Sequence, residues 1–172
     1  HEKMTMYIRE ARDMNVKVKA PSVNRSQALN HDDSGEIRIG MTAVKGVGYQ
    51  AAQAIMEERM KGPFRNLNDF CLRVDGKVVT RKVIESLVLA GAFDDLHQNR
   101  ASVLASIDQA LEQGELFKEF QDQPGFFGNE LDMEMVEVDP FPPFKRLSME
   151  KEVLGTYMSQ QPLGHQRKDL EE

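Results

Sequence analysis

Apolar residues recur at three- and four-residue spacing through most of this 172-residue chain. Met4, Tyr7, Ile8, Ala11 and Met14 share one face of a helix expected over 3–14. Val16-Lys17-Val18 alternates as a short strand, stopped by Pro21. Residues 27–31 and 36–40 flank Asp32-Asp33-Ser34-Gly35, a turn-rich tetrapeptide, and predict a small β-hairpin. A short helix near 41–45 and a longer one near 49–60 follow, the second broken by Gly62-Pro63. Asn66 is placed to cap a helix over 67–73, and Asp75-Gly76 turns the chain. Thr80 caps a helix carrying Val83, Ile84, Leu87 and Val88, which Gly91 closes. The next helix, near 99–120, carries Val103, Leu104, Ile107 and Leu111. From 121 to 144 the chain is acidic, has its prolines near the ends and keeps no sustained period, so it reads as a tether. A last helical patch covers 145–157.

Within this framework Val44-Lys45-Gly46-Val47-Gly48, followed by Ala52 and Ile55, has the pattern of a helix-hairpin-helix. Val47 is placed to plug the gap between the two helices, Ala52 to let them approach, and Ile55 to continue that face. Both glycines fall where a helix begins, so the amides of Gly46, Val47 and Gly48 are expected to point outward. Free amides at the positive end of a helix dipole suit an anion. Lys45 and Gln50 flank the bend and reach neighbouring phosphates. Residues 67–90 repeat the rhythm with a turn lacking Gly-apolar-Gly; this partner hairpin supplies Lys77, Arg81 and Lys82, or serves structure alone. Gly46-Val47-Gly48-Tyr49-Gln50-Ala51 also fits a dinucleotide fingerprint, but no strand–helix–strand alternation accompanies it. A P-loop is excluded because no Gly-Lys-Ser/Thr follows.

Charge sharpens the picture. The net charge of −6 opposes a nucleic-acid partner on average, yet residues 38–82 hold nine basic and four acidic side chains, net +5. Residues 83–172 hold seven basic and eighteen acidic ones, net −11. The single Cys excludes an internal disulfide framework, and Cys71 lies between apolar neighbours as a buried, inert thiol. His1, His31, His97 and His165 are scattered, so a metal cluster is not expected, and His31-Asp32-Asp33 reads as turn chemistry. No apolar run approaches a membrane span and no secretory signal is present, which points to a soluble, intracellular protein without a membrane partner. The abrupt helical start suggests a piece of a longer protein.

Ile39 to Gly48, Gly62-Pro63-Phe64, Asp69-Phe70-Cys71, Val83-Ile84-Glu85-Ser86-Leu87 and Ala90-Gly91-Ala92-Phe93-Asp94 together resemble the alpha subunits of bacterial DNA polymerase III, the C-family replicative polymerases. Tyr7 to Ala11 and Pro21-Ser22-Val23-Asn24 look like the end of their fingers domain. Glu152 to Met158 and Pro162-Leu163 look like the lead into their OB-fold. The resemblance implies a mainly α fold divided in four. Residues 1–39 end the fingers with the β-hairpin, and 40–120 form a tandem helix-hairpin-helix domain on duplex DNA. Residues 121–144 are the tether, and 145–172 lead to an OB-fold. It places the catalytic carboxylates in a palm domain outside these residues, so no catalytic residue is expected here. It implies cytoplasmic localisation, double-stranded DNA and other replicase subunits as partners, and Mg for the full polymerase. Within this segment no cofactor is expected, unless a monovalent cation bridges hairpin carbonyls to phosphate. It also makes Gln123, Phe126 and Phe127 a clamp-binding-like peptide for the sliding clamp, with Phe where the family carries Leu or Met. The alternative is a protein-interaction scaffold whose hairpins only pack.

Overall fold

The computed structural model describes residues 2–120 and 134–155. The fold is mainly α: helices α1 (Glu2–Asp13), α2 (Tyr49–Arg59), α3 (Leu67–Arg73), α4 (Arg81–Leu89), α5 (Arg100–Phe120) and α6 (Pro143–Leu154). Three short strands, β1 (Val18–Lys19), β2 (His31–Asp33) and β3 (Glu36–Arg38), form one sheet in the order β1-β3-β2. The hairpin β2–β3 is antiparallel as expected, but its first strand lies at 31–33 rather than 27–31, leaving Ser34-Gly35 between the strands, while β1 pairs parallel to β3 with Val18 opposite Ile37. The alternation at 16–18 marked the strand one or two residues early and carried no sign of its partner. His31-Asp32-Asp33 belongs to β2 rather than to a turn. Only Asp32 has turn chemistry, accepting from the Gly35 amide at 3.1 Å. Residues 41–45, expected as a short helix, form a 3-10 turn at Met41–Ala43.

Local sequence sets the helix ends of the second hairpin. The Asn66 side chain accepts from the Asp69 amide at 2.7 Å, and Thr80 Oγ1 accepts from the Val83 amide at 3.4 Å. At the end of α4, Gly91 takes φ +88° and donates to Val88 O, while Ala92 N reaches Leu87 O, the two bonds of a Schellman motif. The start of α3 has a second cap from far along the chain: His97 Nε2 accepts from Leu67 N at 3.1 Å. That bond needs the neutral imidazole, and burial pushes the His97 pKa below its ordinary value. The unfolded chain therefore binds the proton more readily, so the His97 contribution is complete above the ordinary histidine pKa. It is lost as pH falls through the lowered one. Thermal melts below neutrality should show the parent losing stability more steeply than His97→Gln.

The core runs unbroken from Ile8 through both hairpins to Leu154. Phe70 stands at its centre, 4.7 Å from the Phe64 ring and 4.9 Å, edge-on, from Phe93. Several of the segments that carried the family resemblance meet here. Asn24 bonds both backbone groups of Phe64, accepting from N at 2.8 Å and donating to O at 3.0 Å. Val23 N donates to Ala92 O, and Ser22 Oγ to Asp95 at 3.0 Å. Cys71 is buried and its pKa is pushed up to about 12 by desolvation, so it is an inert core thiol. Gly114 lets α5 lie against α3, since a Cβ there would sit 3.0 Å from Cys71 O.

The C-terminal part of the described chain packs back onto this core. Of the span 121–144 expected as a tether, residues 134–140 run extended along α5, and α6 already begins at Pro143. Asn99, just before α5, lines up with Ser102, Ser106 and Gln109 along one stripe of the helix. Ser106 Oγ accepts from Val136 N at 2.8 Å and Ser102 Oγ from Val138 N at 3.2 Å. Asn99 donates to Val138 O and Gln109 to Glu134 O. α6 ends earlier than the expected 157, at Gly155 with φ +79°.

Candidate nucleic-acid interface

The first hairpin joins the 3-10 turn to α2 through Val44–Gly48. Its interior follows the sequence pattern: Val47 is 4% exposed, and Ala52 and Ile55 are fully buried. The expectation of three outward amides is corrected in one place. Val47 N donates inward to Val44 O at 3.0 Å, closing the bend. The amides of Gly46 and Gly48, and those of Tyr49 and Gln50 in the first turn of α2, have no acceptor among the described residues. All four residues are exposed.

The two glycines differ physically. Gly46 needs its φ of +88°, a conformation L side chains rarely adopt, and its back leans on α4 near Ser86. Gly48 has φ −84°, open to any residue, and a Cβ built there meets nothing within 4 Å. The fold itself therefore makes no steric demand for glycine at 48. The space that a side chain at 48 would enter is empty of other atoms of the fold.

The second turn is closed. Asp75 O accepts from Val78 N and Val79 N, and Asp75 Oδ1 accepts from Lys77 N at 2.9 Å. Three amides that would match those of the first hairpin are thus consumed. Arg81 is also engaged, at 2.5 Å from Asp108 and against Glu85. That guanidinium holds the Asp108 carboxyl below the ordinary aspartate range.

Partners within the fold also reduce the positive charge of 38–82. Arg38 pairs with Asp33, Lys61 with Glu58, and Arg65 approaches Asp69 at 4.0 Å. Arg59 donates to Val23 O. Arg73 caps the end of the first hairpin: it donates to Glu58 O and Gly62 O, both at 2.7 Å, and to Pro63 O. Its guanidinium also lies over the Phe64 ring at 4.6 Å. Lys45, Lys77 and Lys82 remain exposed with no carboxylate partner among the described residues. These are the lysines that sequence reasoning singled out, together with Arg81.

Tyr49 was missed. It stands 62% exposed at the first position of α2, beside the free amides. An aromatic residue directly after Gly48 was the visible signal. Gln50 is exposed next to it. Gln123, Phe126 and Phe127 lie outside the described residues. Among the described residues no group of three or more His, Cys, Asp or Glu could hold a metal, and no helix is long and apolar enough to cross a membrane.

A bend with free amides, an apolar plug and a second, closed hairpin defines the class of the domain. The model of the helix-hairpin-helix motif matches residues 15–103, and the chain belongs to that family. Along nearly its whole length the chain also matches a segment of DNA polymerase III alpha subunits. It is 41% identical over 172 residues to that of Bacillus subtilis (strain 168), covering 98% of this chain and 15% of the relative. It is 40% identical over 166 residues to the Thermus aquaticus subunit, covering 94% and 13%. Against Vibrio cholerae the identity is 36% over 183 residues, with 98% and 15% covered. The chain thus spans about 15% of the length of the relatives it matches.

Proposed function

We propose that this segment grips the backbone of duplex DNA in a replicative polymerase, without reading bases. The observation that carries the reading is the set of exposed, unbonded amides at a bend where Gly48 carries no side chain and its Cβ position is clear. A phosphate oxygen fits where the fold places nothing. Lys45 adds charge at that bend, while the closed second turn contributes Lys77 and Lys82 through their side chains, with Arg81 already committed to carboxylates. The carbonyls of Lys45, Gly46 and Val47 accept no hydrogen bond among the described residues, so a monovalent cation would find oxygen ligands there. DNA synthesis itself, and the Mg it uses, belongs in this reading to residues beyond this segment.

Binding carried by three lysines should have a modest, measurable salt dependence. Fluorescence anisotropy with short duplex DNA should give a slope of log K against log salt of about −2.7, at about −0.9 per neutralised phosphate. Lys45→Ala should bring it to about −1.8. Sequence changes in the duplex should leave affinity unchanged. Absence of salt-sensitive binding would favour the protein-interaction scaffold, a reading to which the closed second turn and the internally paired arginines lend support.

The same reading assigns Gln123, Phe126 and Phe127 to the sliding clamp, with the two aromatic rings filling an apolar pocket and Gln orienting the peptide. Phe126→Ala with Phe127→Ala should abolish capture of this chain by purified sliding clamp. Capture at the parental level would discard that assignment. Contacts with other replicase subunits would come from the remaining surface.

A further inference from the structure

The end of α6 meets the start of the first hairpin. Val153 O, in the last turn of α6, accepts from Lys45 N at 2.8 Å. The carbonyls of a helix's last turn lack partners inside the helix, so this bond satisfies one of them while fixing the residue before Gly46. The pairing is enforced from beneath. Glu150 is fully buried and bonds Arg100 Nη1 at 2.9 Å, and Leu147, Val153 and Leu154 are buried beside it. Arg100 is in turn held by Asp94 at 2.7 and 3.0 Å. Meanwhile Gly46 leans on α4, the helix against which α6 packs. The bend itself has only one internal amide bond, Val47 to Val44.

We propose that α6 is the positioning element of the hairpin: docked through Glu150 and Val153, it holds Lys45 and Gly46 in the conformation that presents the free amides. Glu150 and Val153 are then positioning residues that act through the Lys45 backbone and touch no phosphate. The inference rests on the DNA-backbone reading for its consequence, but the coupling of α6 to the hairpin can be measured without DNA.

Two variants of the 172-residue chain test it: Glu150→Ala, and a chain ending at residue 141. Amide hydrogen exchange should show the Lys45 protection factor falling at least tenfold in both. The Val79 amide, bonded inside the second turn, should keep its protection. Duplex affinity should fall at least fivefold, while the salt slope, set by the three lysine charges, stays unchanged. Parental protection of Lys45 in the truncated chain would overturn the proposal, as would parental affinity with Lys45 unprotected. If the parent chain binds no duplex, the DNA reading fails and the exchange result alone decides the coupling. If a variant loses its helical circular dichroism, exchange in the parent under increasing denaturant decides it. Lys45 should then open together with Gly155, whose amide bonds Lys151 O at 2.7 Å. Separate opening would overturn it.

Discussion

Replacing Arg100 by Met should lower the stability of this chain by about 3–5 kcal/mol, read as a fall in the urea midpoint at unchanged m-value. Arg100 is 4% exposed and holds two carboxylates on one guanidinium, while Glu150 beneath it has no exposed surface. Removing the cation takes the charged partner from a carboxylate that water cannot reach, and that penalty exceeds the loss of any single hydrogen bond. The neighbourhood is adjusted to this group. A Cβ at Gly91 would come within 2.6 Å of Arg100 Nη2, so the residue that ends α4 also makes room for the guanidinium. Arg100→Met combined with Glu150→Leu should recover much of the loss, because a pair of apolar groups of similar volume needs no solvation. A double variant as unstable as the single one would assign the effect to packing instead.

The Gly48→Val variant should leave the fold intact and weaken duplex binding at least tenfold, measured by anisotropy at fixed salt. Its backbone conformation accepts any residue, and the added Cβ meets no atom of the chain. The expected stability cost is about 1 kcal/mol, the difference between a glycine and a β-branched N-cap, or about 2–4 °C in melting temperature. An external phosphate, by contrast, loses the room to approach the Gly48 and Tyr49 amides. Gly46→Val should behave differently, unfolding the bend itself because of the strain at φ +88°. Parental affinity in folded Gly48→Val would end the phosphate reading at this bend.

Local chemistry was legible in the sequence and distant pairing was not. The bounds of α3 and their Asn66 cap, the Thr80 cap of α4 and the Gly91 stop depend on residues within a turn of the feature they set, so pattern alone located them. So did the plug Val47 with Ala52 and Ile55. The parallel pairing of β1 with β3 joins residues nineteen apart, and Arg100 with Glu150 joins residues fifty apart. Neither leaves a local signature. Nothing local sets Arg73 apart from the other basic residues of 38–82, yet it caps the end of the first hairpin. Ser102 and Ser106 carry no local signal, yet their hydroxyls accept from the backbone of the extended segment 134–138. The inward Val47 amide was hidden for another reason: a Gly-x-Gly bend fixes which residues turn, not which amide the turn consumes.

The bonds from 134–138 to α5 fasten the chain to that helix a second time. The chain leaves α5 at Phe120 and is fastened again at Glu134, beside Gln109. Fourteen peptide steps extend to about 50 Å at most, and the two attachment points lie about 17 Å apart along the helix. On the proposed clamp assignment, chain length alone would keep a partner bound at Phe126 and Phe127 within about 25 Å of α5. That length would then limit how far the clamp and the proposed duplex-gripping domain separate while both are engaged.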